Sequence, residues 1–154
     1  MAQYSVPSGD LVDGNWLNQA ASATDIYLSI VPGTPGTIGA GDDATYAESD
    51  ANPTASEFAV DMSTIEDPVS SSGHVLRWRR QKDAAGGGQI DLEVALHQGY
   101  VNEGTPGTVI VTAPLDTDLS ETPATTSDTL TGGEADAITD YADLQIRFEA
   151  DQST

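Results

Sequence analysis

Gln89-Ile90-Asp91-Leu92-Glu93-Val94-Ala95-Leu96-His97 places apolar side chains at every second position, with Asp91, Glu93, Ala95 and His97 between them. Successive side chains of a strand point to opposite faces, so this run predicts a strand with one face in a core and one in water. The same period of two recurs outward in both directions. Ile26, Leu28 and Ile30 alternate with Tyr27 and Ser29; Phe58, Val60 and Met62 alternate likewise. Leu76 and Trp78 continue the pattern within 74–82, and Val109 and Val111 follow it. Leu144, Ile146 and Phe148 alternate with Gln145, Arg147 and Glu149. A polar stretch, 124–130, reads as an edge strand, and 45–47 as a weak one.

Turn chemistry separates these runs: Pro32-Gly33-Thr34-Pro35-Gly36, Asp67-Pro68, Ser70-Ser71-Ser72-Gly73, Ala84-Ala85-Gly86-Gly87-Gly88 and Gly104-Thr105-Pro106-Gly107. Long helical patterns are missing. A single helical turn is predicted over 131–138, capped by Thr131 with Glu134 three residues on. About eight short strands with one apolar face each predict an all-β fold: an antiparallel β-sandwich, jelly-roll-like, with one short helical turn. The expected organisation is an N-terminal arm over 1–22, one sandwich domain over 23–150 and a short tail over 151–154.

The charge is extreme. Twenty-five Asp and Glu face five Lys and Arg in 154 residues, a net charge of −20, and Lys82 is the one lysine. Such a surface suits very high salt, where repulsion is screened to within ~3 Å at 1 M and carboxylates stay hydrated. The acids are dispersed among regular apolar patterns, which argues against a disordered acidic segment. The net charge argues strongly against nucleic-acid binding, because phosphate recognition needs clustered Lys and Arg. No stretch approaches the ~20 apolar residues of a membrane span, so membrane insertion is not expected. The first residues lack the basic and apolar regions of a signal peptide. Without cysteine there is no disulfide framework or thiolate metal site.

Four of the five basic residues lie in Arg77-Trp78-Arg79-Arg80-Gln81-Lys82. If 74–82 and 89–97 form a hairpin with Trp78 opposite Leu92, Arg77 falls opposite Glu93 and Arg79 opposite Asp91, as cross-strand ion pairs. Arg80 and Lys82 are then the free participants in a partner contact. Trp16 is a further candidate for such a contact, or anchors the preceding segment on the sandwich. His74 and His97 fall near one end of that hairpin, where a His-carboxylate metal site is conceivable. No cofactor is expected, with one exception: a structural calcium or other cation at Asp42 and Asp43, in a loop of the oxygen-rich kind hard cations use. There is no nucleophile elbow, phosphate loop or His-Glu-x-x-His motif, so no catalytic residue is assigned and enzymatic activity is not expected.

Three groups of residues, in order along the chain, resemble a group of small structural proteins of tailed viruses. The first is Asp10, Trp16 and Asp25-Ile26-Tyr27. The second is Asp67-Pro68, Gly73-His74-Val75-Leu76-Arg77-Trp78-Arg79 and Leu96-His97-Gln98-Gly99. The third, the clearest, is Leu130-Thr131, Glu134-Ala135-Asp136, Ile138-Thr139-Asp140-Tyr141-Ala142-Asp143-Leu144 and Arg147-Phe148. The resemblance implies a virion component (head decoration, vertex or tail) without catalytic residues, synthesised in a host cytoplasm and assembled with other virion proteins. The acidity departs from bacterial-virus members and fits a haloarchaeal host. Homo-oligomers are expected, since virion positions are symmetric. The alternative is a carbohydrate-binding module that adsorbs to host surface glycans. With nine aromatic residues, most required in the core, the sequence gives that less support. A hydrolase of surface glycans would need two carboxylates ~5–5.5 Å apart in a cleft.

Overall fold

A computed structural model describes residues 3–30, 45–83 and 88–153. Strands β1 (Pro7–Val12), β4 (Ser56–Met62), β9 (Leu144–Ser153), β6 (Gln89–Gln98) and β7 (Thr108–Thr112) lie side by side in that order as an antiparallel sheet. Two ribbons accompany it: β2 (Leu17–Asn18) with β3 (Ala47–Glu48), and β5 (Val75–Arg80) with β8 (Ala124–Thr129). The fold is all-β and sandwich-like. One large sheet forms one layer, and the β5–β8 ribbon packs Leu76 and Trp78 into the core from the other side.

The alternation read from the sequence sets the layers. Phe58, Phe148 and Val94 stand in one cross-strand row, and Val60, Ile146 and Leu96 in another. These rows face the core, with Trp16 stacked on Phe58 at a centroid distance of 5.5 Å and Phe58 on Phe148 at 6.0 Å. Each such contact adds to the area term that dominates folding. A bulge between Leu96 and His97 slips the β6–β7 register, so Val111 turns inward while Val109 is 52% exposed. Sequence alternation had put both valines on one face. The helical turn is α1 (Gly132–Ala137), closed by a capping box between Thr131 and Glu134 as its spacing requires.

Three expectations are corrected. Ile26, Leu28 and Ile30 do not make a strand; Ile26–Ser29 is a 3-10 helix. Its N-terminus is fixed from outside, where Asp10 accepts from the backbone N–H of Ile26 at 2.7 Å and of Tyr27 at 2.6 Å. Those donors would be orphans in an isolated turn. The 74–82 and 89–97 strands do not form a hairpin. β5 pairs with β8, setting Arg77 opposite Ser127, Trp78 opposite Thr126 and Arg79 opposite Thr125, while β6 pairs with β9 and β7. Finally, the residues expected as an arm are built into the fold. β1 is an edge strand of the main sheet, and Trp16 is buried with its indole N–H donated to the Ser56 carbonyl at 3.2 Å. Gly14, between them, has a left-handed φ of +53°, and a Cβ there would overlap the Glu57 carbonyl.

Candidate functional site: an acidic cleft on the outer sheet face

The outer face of the large sheet carries the rows between the apolar ones. Glu57, Glu149 and Glu93 are direct cross-strand neighbours on β4, β9 and β6. The next row is Ala59, Arg147, Ala95 and Thr112; the one after is Asp61, Gln145, His97 and Val109. The two alanines leave room for the Arg147 side chain, which lies along the sheet and ion-pairs with Glu57. From the end of β6 the chain then folds across this face. Tyr100 donates its hydroxyl to the Leu11 carbonyl of β1 at 3.1 Å, and Glu103 and Pro106 wall a cleft of about 390 Å³ over Glu57, Glu93, Glu149, Arg147 and His97.

Charge in this cleft is lopsided. Glu93, Glu103 and Glu149 are exposed, whereas Arg147 keeps a tenth of its side chain in solvent. Burial lowers the Arg147 pKa, with Glu149 acting the other way. Burial likewise lowers His97 below the usual histidine range, partly offset by a hydrogen bond with the Pro106 backbone; the ring is neutral at pH 7. The Arg147 Nη1 and His97 Nδ1 atoms are buried and have no hydrogen-bond partner among the described residues. Across the rim, Asp13 is pushed up by burial and by the charges of Asp10 and Glu103. The cleft is thus an electronegative trough over one buried guanidinium, suited chemically to cations or cationic side chains. Among the described residues no cluster of three or more His, Asp or Glu side chains is arranged to hold a metal ion.

The sequence-predicted residues lie elsewhere. Trp16 is in the core. Arg80 forms a bidentate pair with Asp116 at 2.8 and 2.7 Å, and Lys82 pairs with Asp118 at 2.7 Å. Neither is the free partner-contact residue that the hairpin register implied. Burial pushes the Asp116 carboxyl up, but hydrogen bonds from Arg80 and from the Trp78 indole at 2.9 Å outweigh it and hold the pKa low. Asp116 bonds its backbone to Leu92 on β6 in both directions, so this side chain ties the ribbon to the sheet. His74 and His97 part company: His74 Nε2 meets the Tyr141 hydroxyl at 2.7 Å, while His97 is under the cleft. Asp42 and Asp43 lie outside the described residues. Glu93, expected opposite Arg77, lies opposite Glu149 instead, and neither Glu57 nor Glu149 was a candidate in the sequence, because the meeting of the three depends on the register of three strands.

Comparison with protein-family models, curated proteins and solved structures finds no match. Among the described residues no helix is long and apolar enough to cross a membrane.

Proposed function

We propose that this chain is a non-enzymatic structural component of a tailed-virus particle whose host lives in high salt. One observation carries the reading: many of the residues behind the resemblance sit at the joints of the fold. Asp10 holds the 3-10 helix, and Trp16 stacks on Phe58. His74 meets Tyr141, and Gln98 bonds the Thr139 hydroxyl and backbone N–H, both at 2.9 Å. Thr131 and Glu134 cap α1, and the Gly99 N–H donates to Asp143. A likeness concentrated in joints supports a shared frame rather than a shared ligand site. A frame with variable outer surfaces is what a repeated particle position requires.

The glycan-adsorption alternative needs exposed aromatic residues in a row; both tryptophans are buried, and the exposed aromatics among the described residues are Tyr4 and Tyr46. Mass spectrometry of purified particles, with localisation in a reconstructed map, tests the proposal. The protein is expected in multiple stoichiometric copies. Its absence from particles, or turnover of a glycan through a carboxylate pair, overturns the reading.

A further inference from the structure

We propose that residues 99–107 are an acid-released strap: a proton taken up by His97 beneath them lifts the segment from the outer sheet face and uncovers the cleft. The segment leaves β6 after Gln98 and re-enters the sheet at Thr108. A glycine stands at each end, Gly99 at φ +80° and Gly107 at φ +85°, a left-handed backbone that glycine adopts without strain. At Gly107 a Cβ would overlap the Gln98 carbonyl, so this end folds back tightly on the strand it left. Between the glycines, backbone bonds from Val101 and Asn102 to Thr105 close the segment on itself. It is held down by the Gly99 N–H on the Asp143 carbonyl at 3.2 Å, the Tyr100 hydroxyl on the Leu11 carbonyl at 3.1 Å, and the Pro106 backbone on His97.

His97 lies under this strap with 7% of its surface exposed. A proline backbone offers only a carbonyl, so the ring donates to Pro106. The nitrogen left for a proton is Nδ1, which is buried and has no hydrogen-bond partner among the described residues. Protonation there creates a buried charge and a buried donor with nothing to accept it, and both are unfavourable.

The charged groups around the ring do not reverse this. They are Glu93 on its own strand, Arg147 and Glu149 on β9, Glu57 on β4 and Glu103 on the strap; Asp61 of β4 stands two strands away in the same row. β7 contributes Val109 and Thr112, which carry no charge. Arg147 opposes a second cation and occupies Glu57. Glu93, Glu103 and Glu149 are exposed, so water screens their attraction. Burial therefore dominates, and the closed strap keeps the His97 pKa below the usual histidine range. A lifted strap returns the ring to water and to an ordinary pKa of about 6.5. The closed form is then fully favoured above that value and loses ground as pH falls below it.

Hydrogen exchange on the full chain in ~3 M KCl, where screening acts within ~3 Å, reads the opening. The Gly99, Val101 and Thr105 amides should be less protected than those of β9 at every pH. After correction for intrinsic rates, their protection should fall at least threefold between about pH 7.5 and 5, up to a ceiling of about thirtyfold set by an ordinary histidine in the open form. Side-chain carboxylates ordinarily titrate near ~4, below this window. His97→Gln, which keeps a donor for Pro106 but cannot titrate, should hold strap protection constant across the same range. Tyr100→Phe, which removes the bond to Leu11, should lower strap protection by the same factor at both ends of the range and leave β9 unchanged. If His97→Gln does not fold, a nuclear magnetic resonance titration of His97 in the wild-type chain is read in its place: a midpoint below about 6.5 supports the strap, and one at or above it overturns the proposal. Strap amides as protected as β9, which would make the opening global, overturn it. So does strap protection that ignores pH, or that falls equally in His97→Gln.

Discussion

Replacing Asp116 by alanine should be among the most damaging single polar changes in this protein. The side chain accepts three hydrogen bonds, two from Arg80 at 2.8 and 2.7 Å and one from Trp78 at 2.9 Å. Removing one partner of a buried pair costs about 3–5 kcal/mol, because the other charge is left uncompensated. Here Arg80 and Asp116 keep 20% and 16% of their side chains in solvent, so water recovers part of that cost. The Trp78 indole N–H loses its acceptor at the same time, a further ~1–3 kcal/mol if it finds no water. The expected total is about 2–4 kcal/mol after discounting for exposure. Asp116→Asn keeps one acceptor oxygen and should cost about half as much. Arg80→Ala combined with Asp116→Ala should be less than additive by at least ~1 kcal/mol. Urea unfolding in ~3 M KCl, where screening is already complete, measures all of these through far-ultraviolet dichroism and tryptophan fluorescence. A cost below ~0.5 kcal/mol for Asp116→Ala, or strict additivity with Arg80→Ala, would refute the role of this side chain as the tie between ribbon and sheet.

Other expectations follow from the same structure. Stability should fall on dilution from molar salt, as the screening length grows from ~3 Å to ~10 Å at 0.1 M; an unchanged melting temperature across that titration contradicts the electrostatic account. His97 is held neutral by burial, so the unfolded chain takes up its proton first. Stability is then fully present above the ordinary histidine pKa of about 6.5 and declines as pH falls below it. In molar salt His97→Gln should flatten the decline between pH 7 and 5; an unaltered slope would place its origin elsewhere. Trp16→Ala should cost ~3–5 kcal/mol as a buried aromatic, and a chain begun at residue 17, lacking β1, should fail to fold. A native dichroism spectrum from that shortened chain would restore the picture of a detachable arm.

Strands with a long unbroken alternation were legible in the sequence. β6, β9 and β4 form as the spacing of Leu92, Ile146 and Phe58 with their neighbours requires, and the α1 cap was readable from Thr131 and Glu134. What escaped depends on partners distant along the chain. Ile26-Tyr27-Leu28 alternates like a strand, but Asp10 supplies the acceptors that make it a helix start. The glycine linker at 84–88 suggests a local hairpin, yet β5 takes the polar strand β8, whose Ser and Thr residues carry little apolar signal. The cleft was hidden for a related reason. Glutamates are common throughout the chain, and only strand register brings Glu57, Glu149 and Glu93 into one row.

The position of β9 has a consequence for how the chain is made. It is the last described strand in sequence yet the middle one of the large sheet, with β4 on one side and β6 on the other. Until it emerges from the ribosome, β4 and β6 each present an open hydrogen-bonding edge beside Phe58, Val60, Val94 and Leu96. Sheet closure then joins segments as far apart as Phe58 and Phe148, which makes for slow, high-contact-order folding. Unpaired edges of that kind recruit other nascent chains. Shielding of the β4 and β6 edges therefore waits on the arrival of the central strand.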